Sequence, residues 1–552
     1  MVERARTARS PVYADGGMVC TGHPLASAAG ADVLRRGGNA CDAILAASAV
    51  LGVVQPMMCG LGADTFCVWY DGRSGRVEAL ADSGAAPALA SPDAYHARGY
   101  GERMPGRGML SVSVPGAVHA AFTALRRWGS GRFDMEALWA PAVAYARDGH
   151  RLAPRVAHHL GLSRDALAQY PESARIYLRP DGSPLRAGDR LVQADYARSL
   201  ELVARGGPEV FYRGALAEAI DAYMRAHDGL LRGEDLAAHA AEVGAPLSVP
   251  YRGATVHVAP LPSQGLILLE CLRIAEGWDL GGLASADLIH LLVEAKKRAY
   301  ADRLAYAGDP RFVDVPLDEL LSAGFAVQRR ASIDPRQAAA EVAPGRVAAT
   351  AGWGAPGETD TTYLCAADRD GNAISFITSL SAAFGCAEVV EGTGILLNNR
   401  AGRGFTLEDG HPNVLAPGKR TMHTLQCYLV TRGDGSLWLV GATPGGDGQA
   451  QWNLQVLTAR IDQGLDPQAA VEACRWTSHP GTDPAGLPAP YRLELEDGLP
   501  EEVYRELAAR GHDLRRVPYL SGSGDEQLIE RLADGCLVGA SDPRGDGCAL
   551  GM

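Results

Sequence analysis

Residues 357–372, GETDTTYLCAADRDGN, join a glycine-rich run to two strand-like segments. Before this stretch, residues 334–358 are rich in Ala, Gly and Pro and carry no apolar period, which is typical of a loop or linker. After it, TTYLCAAD and AISFITSL are apolar runs joined by RDGN, and Asp-Gly between such runs favours a β-hairpin. The sequence therefore predicts that order begins at Asp360, Thr361 and Thr362, and that the first strand holds this point at a sheet edge.

Thr361 is a candidate nucleophile whose base would be supplied by cutting the chain. A threonine hydroxyl needs a base to remove its proton, and no side-chain base stands beside Thr361 in the sequence. Cleavage of the Asp360–Thr361 bond would give Thr361 an α-amino group with an unperturbed pKa near 7.7–8.0, suited to a general base. While the bond is intact, the same nitrogen is a planar, non-basic amide. The alternative is that a polar loop simply enters a strand here.

Length, composition and charge narrow the class of protein. The chain has 552 residues, too many for one ordinary core, with 47% hydrophobic and 21% charged residues, the mix of a globular protein. The net charge of −13 argues against a nucleic-acid partner. No apolar run could span a membrane and the N-terminus lacks the apolar segment of a secretory signal, so we expect a cytoplasmic protein. The 11 cysteines form no C-x-x-C pair, so no zinc site or disulfide framework is indicated, and we expect most of them to be buried.

The rest of the chain gives further structural expectations. From about residue 22 to 330, helical patterns alternate with short apolar strands. Residues 287–308 predict a long amphipathic helix, and SLWLVGAT, PGGDG and QAQWNLQVLTARIDQG predict a strand, a tight turn and a helix. The common nucleophile, metal and nucleotide motifs are absent. Basic and histidine clusters are expected on solvated surfaces: Lys296, Lys297, Arg298, Arg329, Arg330, His158 and His159.

Eight ordered segments spread over the chain carry a family resemblance. Before Thr361 they are SVSVPGAV, LVQADYARSLELVARGGPEVFYRG, EAKKRAYADR and GDPRFVDVP. After it they are TGILLNN, APGKR, PGGDG and GASDPR. Together they resemble the γ-glutamyltransferase family of N-terminal-nucleophile hydrolases along almost the full length of the chain.

The resemblance implies an α/β protein with an αββα sandwich and a proenzyme that cuts itself before Thr361. It implies a large chain of residues 1–360, with a flexible C-terminal segment of about 334–360, and a small chain of residues 361–552. These would stay together as a heterodimer, and a dimer of heterodimers is an option. No cofactor and no metal is implied.

The resemblance also places candidate catalytic roles residue by residue. Thr361 matches the nucleophile, and Asp360 precedes the bond that is cut. Ser379, one hairpin strand away, falls where the family has a threonine hydroxyl that bonds the nucleophile. Gly445 and Gly446 match the paired glycines whose N–H groups form the oxyanion hole, and a turn between a strand and a helix does present unpaired N–H groups. The alternative for the glycine pair is an ordinary tight turn.

The predicted acyl pocket departs from the family pattern. γ-Glutamyl enzymes hold the glutamate α-carboxylate with an arginine in a sequence like R-E-M-A-P, but residues 83–87 here are SGAAP. They hold the α-amino group with an acid shortly after N-N-Q, whereas NNRAGRGF has no acid and carries Arg400 and Arg403. Such cations favour a carboxylate without a neighbouring ammonium, so we expect Arg400, Arg403 or both to bind a carboxylate on the acyl group. Ser381 replaces an asparagine of the hairpin, and His423 and Thr424 replace paired serines. The other candidate substrate-binding residues, from the GGDGQ segment, are Asp447 and Gln449.

Several features are similar to the oxamate amidohydrolase branch of this family: GGDGQ, NR after the apolar run, APGK with HTL, and the SFI-x-S strand. The predicted activity is hydrolysis of an amide of a small anionic acyl group through an acyl-enzyme on Thr361, with a small-molecule substrate and water as the acceptor. Three other enzyme classes stay open: a γ-glutamyltransferase or glutathione hydrolase, a hydrolase of a C–C bond beside an oxalyl group in natural-product biosynthesis, and a cephalosporin-type acylase. An alternative of another class is a catalytically silent scaffold homologue.

Overall fold

The computed structural model describes residues 7–346, 360–482 and 489–552. The β-strands, in chain order, are β1 (Val12–Ala14), β2 (Gly17–Thr21), β3 (Asp64–Tyr70), β4 (Val77–Asp82), β5 (His150–Arg151), β6 (Arg190–Leu191), β7 (Glu242–Gly244), β8 (Leu247–Tyr251), β9 (Ala254–Val258), β10 (Asp360–Asp368), β11 (Ala373–Ser381), β12 (Val389–Val390), β13 (Ile395–Leu396), β14 (Tyr428–Thr431), β15 (Leu437–Ala442), β16 (Trp476–His479), β17 (Arg492–Glu496), β18 (Leu514–Val517), β19 (Gln527–Arg531), β20 (Leu537–Ser541) and β21 (Cys548–Gly551).

The α-helices, in chain order, are α1 (Pro24–Arg35), α2 (Ala40–Val54), α3 (Pro92–His96), α4 (Ala117–Trp128), α5 (Met135–Asp148), α6 (Pro154–Leu162), α7 (Arg164–Leu167), α8 (Pro171–Tyr177), α9 (Ala194–Gly206), α10 (Pro208–Tyr212), α11 (Ala215–Ala226), α12 (Gly233–Ala237), α13 (Gly265–Ala275), α14 (Ser285–Tyr306), α15 (Leu317–Leu320), α16 (Ala323–Ala331), α17 (Arg400–Gly404), α18 (Gly448–Ile461), α19 (Pro467–Glu472) and α20 (Glu501–Ala509).

Two seven-stranded antiparallel sheets form the centre of the fold. The β10 sheet has the strand order β21-β2-β10-β11-β3-β4-β7, and the β15 sheet has the order β1-β20-β19-β15-β14-β9-β8. Each sheet combines strands that precede residue 360 with strands that follow it. The two halves of the sequence are therefore interleaved within both sheets.

Strand β10 is buried on both faces because it lies between a helical layer and the second sheet. Leu364 and Ala366 join a core cluster with α1, α2 and α5, whereas Tyr363 and Cys365 join the cluster that contains the β15 sheet. This alternation follows from the two-residue period of a strand. Helices α13, α14 and α18 supply the other side of the second cluster. The layers are α, β, β, α, and the predicted sandwich is confirmed.

The predicted hairpin is confirmed, but the predicted sheet edge is wrong. Strands β10 and β11 pair in antiparallel register, and Gly371 in the connecting turn has a φ of +84°, which favours glycine. β10 lies inside the sheet, because β2 pairs with it from Leu364 to Asp368. Only the first residues of β10 lack a β2 partner, so Thr361 sits at the end of a central strand.

Helix α14 confirms the long helix expected over residues 287–308. The predictions that this helix is amphipathic and that its basic residues are solvated are wrong. Residues 296–298 are all buried. Lys296 Nζ donates to the carbonyl oxygen of Ser478 (2.6 Å), and the two following cations pair with the Glu294 carboxylate. The charges are satisfied internally because the helix is covered on nearly every side.

The expectations for the remaining basic and histidine pairs had mixed outcomes. Arg329 is buried, and its Nε lies 2.7 Å from Asp302 Oδ2. Arg330 is half-buried. The prediction that these two arginines lie on a solvated surface is therefore wrong. His158 is exposed as predicted, whereas His159 is half-buried.

Other expectations concern the linker, the cysteines and the membrane. Residues 334–346 form neither helix nor strand, as predicted, while 347–359 lie outside the described residues. Of the 11 cysteines, eight are buried, which confirms that expectation. Among the described helices, none combines the length and apolar character needed to cross a membrane. The cytoplasmic location stays a prediction.

Candidate active site

Thr361, at the start of β10, lies beside Ser379 at the end of β11. Thr361 Oγ1 donates a hydrogen bond of 3.1 Å to Ser379 Oγ, and both side chains are buried. Ser379 Oγ also accepts the backbone N–H of Ser381 at 2.8 Å. The β10–β11 register is irregular between Asp360 and Thr362, and such a bulge re-aims the side chain at that point. The structure thus brings the predicted nucleophile and its predicted hydroxyl partner together.

Asp64, the first residue of β3, is a member of the site that the sequence reasoning missed. It pairs directly with Ser379 across β3 and β11. Directly opposed residues of an antiparallel pair project from the same face, with Cβ atoms about 4.5–5.5 Å apart. Two residues further along, Phe66 and Ile377 pack between the two sheets, so Asp64 and Ser379 face that same space. An acid at the start of a strand that is otherwise apolar except for Thr65 was the available signal.

Arg400 and His423 converge on the Asp64 carboxylate. Arg400 Nε lies 3.4 Å from Asp64 Oδ2, and Arg400 Nη1 donates to Thr424 Oγ1 at 3.3 Å. His423 Nε2 lies 3.0 Å from the same Asp64 oxygen, while its Nδ1 accepts the Leu425 N–H at 3.3 Å. His423 therefore carries its proton on Nε2 and donates it to Asp64.

Burial sets the charge states of Asp64 and His423. Burial raises the pKa of Asp64 to about 7, and the Arg400 guanidinium opposes that rise. Burial also lowers the pKa of His423 well below its usual value, and the nearby cations Arg400 and Arg303 act in the same direction. Near neutral pH, His423 is therefore neutral and Asp64 is close to its titration point.

Gly445 and Gly446 form the predicted turn between β15 and α18. Their φ angles are +121° and +51°, in the region that favours glycine, and a Cβ on Gly445 would overlap the ring of Trp452. Neither backbone N–H donates a hydrogen bond to any described residue. The turn therefore offers two N–H groups for a developing oxyanion.

Gln264 links the glycine turn to the arginine segment. Its Nε2 donates to the carbonyl oxygen of Gly446 (2.9 Å) and to that of Thr424. Thr424 in turn accepts from Arg400, and Arg400 pairs with Asp64. These contacts form a continuous chain from the glycine turn to Asp64, which pairs with Ser379 across β3 and β11. No motif marks Gln264 in the sequence, so it was missed.

Arg403 lies one helical turn from Arg400 on α17 and is half-buried. Its Nη1 donates to the carbonyl oxygen of Ser381 at 3.2 Å. Ser381 has a φ of +87°, rare for a residue with a side chain, and its buried Oγ has no hydrogen-bond partner in the described part of the chain. This pair marks a place suited to a polar ligand.

Asp447 and Gln449, which were predicted to bind substrate, lie at the site and form hydrogen bonds with other residues of the protein. Asp447 accepts from Arg303 Nη1 (3.1 Å) and from the Thr482 N–H (2.9 Å). Gln449 Oε1 accepts the Gln426 N–H at 2.9 Å. Both side chains hold the start of α18, and so the glycine turn, in place.

A cavity of about 730 Å³ opens beside the glycine turn. Its wall includes Gly445, Asp447 and Ala382, the residue that follows Ser381. Arg107 and His158 also contribute to the wall. The volume lies within the range of pockets that hold small molecules.

One cluster outside the site has the composition of a metal site. His290, Glu294 and His512 bring ligand atoms within 4.8 Å of one another. However, His290 Nδ1 and His512 Nε2 lie 2.9 Å apart and share a hydrogen bond, and Glu294 pairs with Lys297 and Arg298. Protein partners occupy the ligand groups, so the cluster is best explained as structural.

Comparison with known proteins identifies the family. The model of the Gamma-glutamyltranspeptidase family matches residues 26–552. The chain belongs to the gamma-glutamyltranspeptidase family. The resemblance found in the sequence is confirmed.

Named members of the gamma-glutamyltranspeptidase family align over nearly the whole chain. The glutathione hydrolase-like YwrD proenzyme of Bacillus subtilis (strain 168) is 36% identical over 541 residues, 97% of this chain and 98% of that protein. The oxamate amidohydrolase proenzyme of Klebsiella pneumoniae is 34% identical over 545 residues, with shares of 97% and 98%. The crystal structure of cephalosporin acylase from Bacillus halodurans matches with a TM-score of 0.90 and 34% identity, covering 100% of this chain and 98% of that one. This family member is therefore a hydrolase proenzyme of the N-terminal-nucleophile type.

Proposed function

We propose that this family member cuts itself between Asp360 and Thr361, and that Thr361 then hydrolyses an amide of a small anionic acyl group. The cut would give a large chain of residues 1–360 and a small chain of residues 361–552, held together as a heterodimer. The observation that carries the proposal is the 3.1 Å hydrogen bond from Thr361 Oγ1 to Ser379 Oγ, at the end of the sheet that faces the glycine turn.

The reaction follows from these groups. The freed α-amino group of Thr361 accepts the hydroxyl proton, and Oγ1 attacks the acyl carbonyl carbon. The N–H groups of Gly445 and Gly446 bind the oxyanion. The α-ammonium group returns its proton to the departing amine, which leaves an ester on Thr361. The α-amino group of Thr361 then deprotonates a water molecule, which hydrolyses the ester and frees the acid.

We assign the carboxylate of the acyl group to Arg403. Arg400 is buried and held by Asp64 and Thr424, whereas Arg403 is half-buried beside Ser381, whose hydroxyl has no partner among the described residues. A guanidinium and a hydroxyl together suit a carboxylate. Oxamate has its carboxylate directly on the amide carbonyl, and the 34% identity to an oxamate amidohydrolase proenzyme supports this substrate class.

A second candidate is an acylase that releases a large amine. The cavity of about 730 Å³ beside Gly445 is far larger than ammonia needs, which favours this candidate. The match to the cephalosporin acylase structure supports it as well.

The deciding experiment offers the mature enzyme oxamate, γ-glutamyl anilide, glutaryl amides of small and large amines, and an oxalyl-bearing ketone. We expect the highest kcat/KM with oxamate. A higher value with the large glutaryl amide would favour the acylase. Turnover of the γ-glutamyl anilide alone would contradict the proposal.

A further inference from the structure

Asp64 has one carboxylate oxygen with partners and one without. Its Oδ2 receives Arg400 Nε and His423 Nε2, but its buried Oδ1 accepts no hydrogen bond from the residues that the structure describes. The backbone N–H of Gly84 lies near enough to favour the charged carboxylate, yet it does not bond this oxygen. A buried carboxylate oxygen without a donor is costly, so this position suits a donor from a ligand.

The Asp64 carboxylate is linked to the candidate nucleophile through one neighbouring residue, Ser379. Asp64 is directly opposite Ser379, and Ser379 holds the hydroxyl of the candidate nucleophile. Both side chains face the space between the sheets. With Cβ atoms about 4.5–5.5 Å apart in such a pair, an acyl group of two to four carbons on Thr361 spans the separation. Ser83, the residue directly after β4, adds a second buried oxygen without a partner in the described chain.

The charge of the surroundings selects the kind of donor. When Asp64 is ionised, Arg400 already balances its charge across 3.4 Å in a buried pair, and when Asp64 is protonated, Arg400 leaves the site positive. A hydroxyl would fill the vacant position without changing that balance. An ammonium group would add an uncompensated charge to a buried site, which is strongly unfavourable.

We propose that Asp64 is a specificity-determining residue that accepts a hydrogen bond from a hydroxyl group on the acyl part of the substrate. The inference rests on the proposed function, since it needs the acyl group to be carried by Thr361. The substrate class becomes amides of small hydroxy dicarboxylic acids, with the hydroxyl beside the scissile carbonyl.

Three half-amides that differ at one atom test the proposal on the mature enzyme: tartronamate, 2-fluoromalonamate and aminomalonamate. They carry a hydroxyl, a fluorine of similar size that cannot donate, and an ammonium group. We expect kcat/KM for the hydroxyl compound to exceed that of the fluoro compound by about 10- to 150-fold, the range of a hydrogen bond to a charged group. Fluorine also withdraws electrons from the scissile carbonyl, which raises the intrinsic reactivity of the fluoro compound. A higher kcat/KM for the hydroxyl compound would therefore be seen in spite of this effect. We expect the ammonium compound to rank below the hydroxyl compound.

Asp64→Asn should reduce the hydroxyl-to-fluorine ratio to about threefold or less. Arg400 and His423 both donate at Oδ2, so they orient the amide oxygen of asparagine there and place its NH₂ at the vacant position, where it can donate to either substituent. Asp462→Asn is the matched control, because Asp462 is another buried acid paired with an arginine, at Arg252 Nε (2.7 Å), and should leave the ratio unchanged.

The outcomes separate this inference from the proposed function. If the enzyme hydrolyses oxamate but treats the hydroxyl and fluoro compounds alike, the assignment of Asp64 is overturned and the proposed function stands. If it prefers the ammonium compound, the charge argument is overturned. If it hydrolyses neither oxamate nor any half-amide, the proposed function itself fails. The substrate comparison needs only the wild-type enzyme, so it decides even if Asp64→Asn fails to fold.

Discussion

Ser379→Ala removes a single oxygen that receives hydrogen bonds from two described residues. Ser379 Oγ accepts from Thr361 Oγ1 at 3.1 Å and from the Ser381 N–H at 2.8 Å. Ser379 is fully buried, so bulk water does not replace the lost acceptor. The first bond positions the nucleophile and the second holds the backbone, so the variant should show a kinetic defect and a stability defect of separate origin.

Each defect has an expected size. A neutral hydrogen bond contributes about 0.5–1.5 kcal/mol, which corresponds to a rate change of about 2- to 13-fold. A buried backbone N–H left without an acceptor costs about 1–3 kcal/mol. Ser379→Ala should therefore cut itself and turn over substrate about 2- to 13-fold more slowly, and its free energy of unfolding should fall by about 1–3 kcal/mol.

Intact-mass time courses measure self-cleavage, ammonia release from oxamate measures turnover, and denaturant titration measures stability. Ser379→Thr keeps the hydroxyl and should stay near the wild type in all three. Ser375→Ala removes a buried hydroxyl on the same strand, bonded to Tyr363 OH at 2.8 Å, and should lower stability without slowing either reaction. If Ser379→Ala is as fast as Ser375→Ala in both reactions, the hydroxyl does not act on Thr361.

Thr361→Ala should remain one chain of 552 residues by intact mass, because self-cleavage needs the hydroxyl, and a cut at the same bond would show that another group attacks it. For the mature enzyme, kcat/KM should fall on the acid side as the α-amino group of Thr361, with a reference pKa of about 7.7–8.0, becomes protonated; a profile flat to about pH 5 would point to another base. Gly445→Ala should lower kcat by about 100-fold or more, since a Cβ overlaps Trp452 and displaces the N–H, whereas Gly464→Ala, also at positive φ but in open space, should affect stability alone. Burial raises the pKa of Asp64 to about 7, so between about pH 4 and 7 the folded protein keeps a proton that the unfolded chain loses. The stability of the wild type relative to Asp64→Asn should therefore fall as pH rises through that window, by about 4 kcal/mol at 1.36 kcal/mol per unit, and a difference independent of pH in denaturant titrations would contradict the shift.

Local features of the fold were predictable because neighbouring residues encode them. The β10–β11 hairpin has its turn residues and both apolar runs within one short stretch. The central position of β10 was not predictable, because its other neighbour, β2, comes from the opposite end of the sequence. Likewise, a run of charges such as residues 296–298 gives no information about which distant segments cover it.

The same distinction applies to the site. Thr361 lies at the point where a glycine-rich run meets a strand, and the family resemblance placed Ser379 and the glycine pair by their motifs, so these residues could be found. Asp64 and Gln264 acquire their places only through pairing with strands and turns far along the chain. The sequence predicted Arg400 as a cation of the site. Its partner Asp64 could not be identified, because the loop that contains Arg400 gives no information about a strand more than 300 residues away.

The interleaving of strands determines how two separate polypeptides would behave after a cut before Thr361. In the β10 sheet, β10 and β11 lie between β2 and β3, and β21 pairs with β2 on its outer side. In the β15 sheet, β1 pairs with β20 and β9 pairs with β14. Neither chain could depart without breaking backbone ladders in both sheets at once. Dilution should therefore not dissociate the folded pair, and the two chains should melt together in one cooperative transition. The midpoint of that transition should rise with protein concentration, because unfolding separates the two chains.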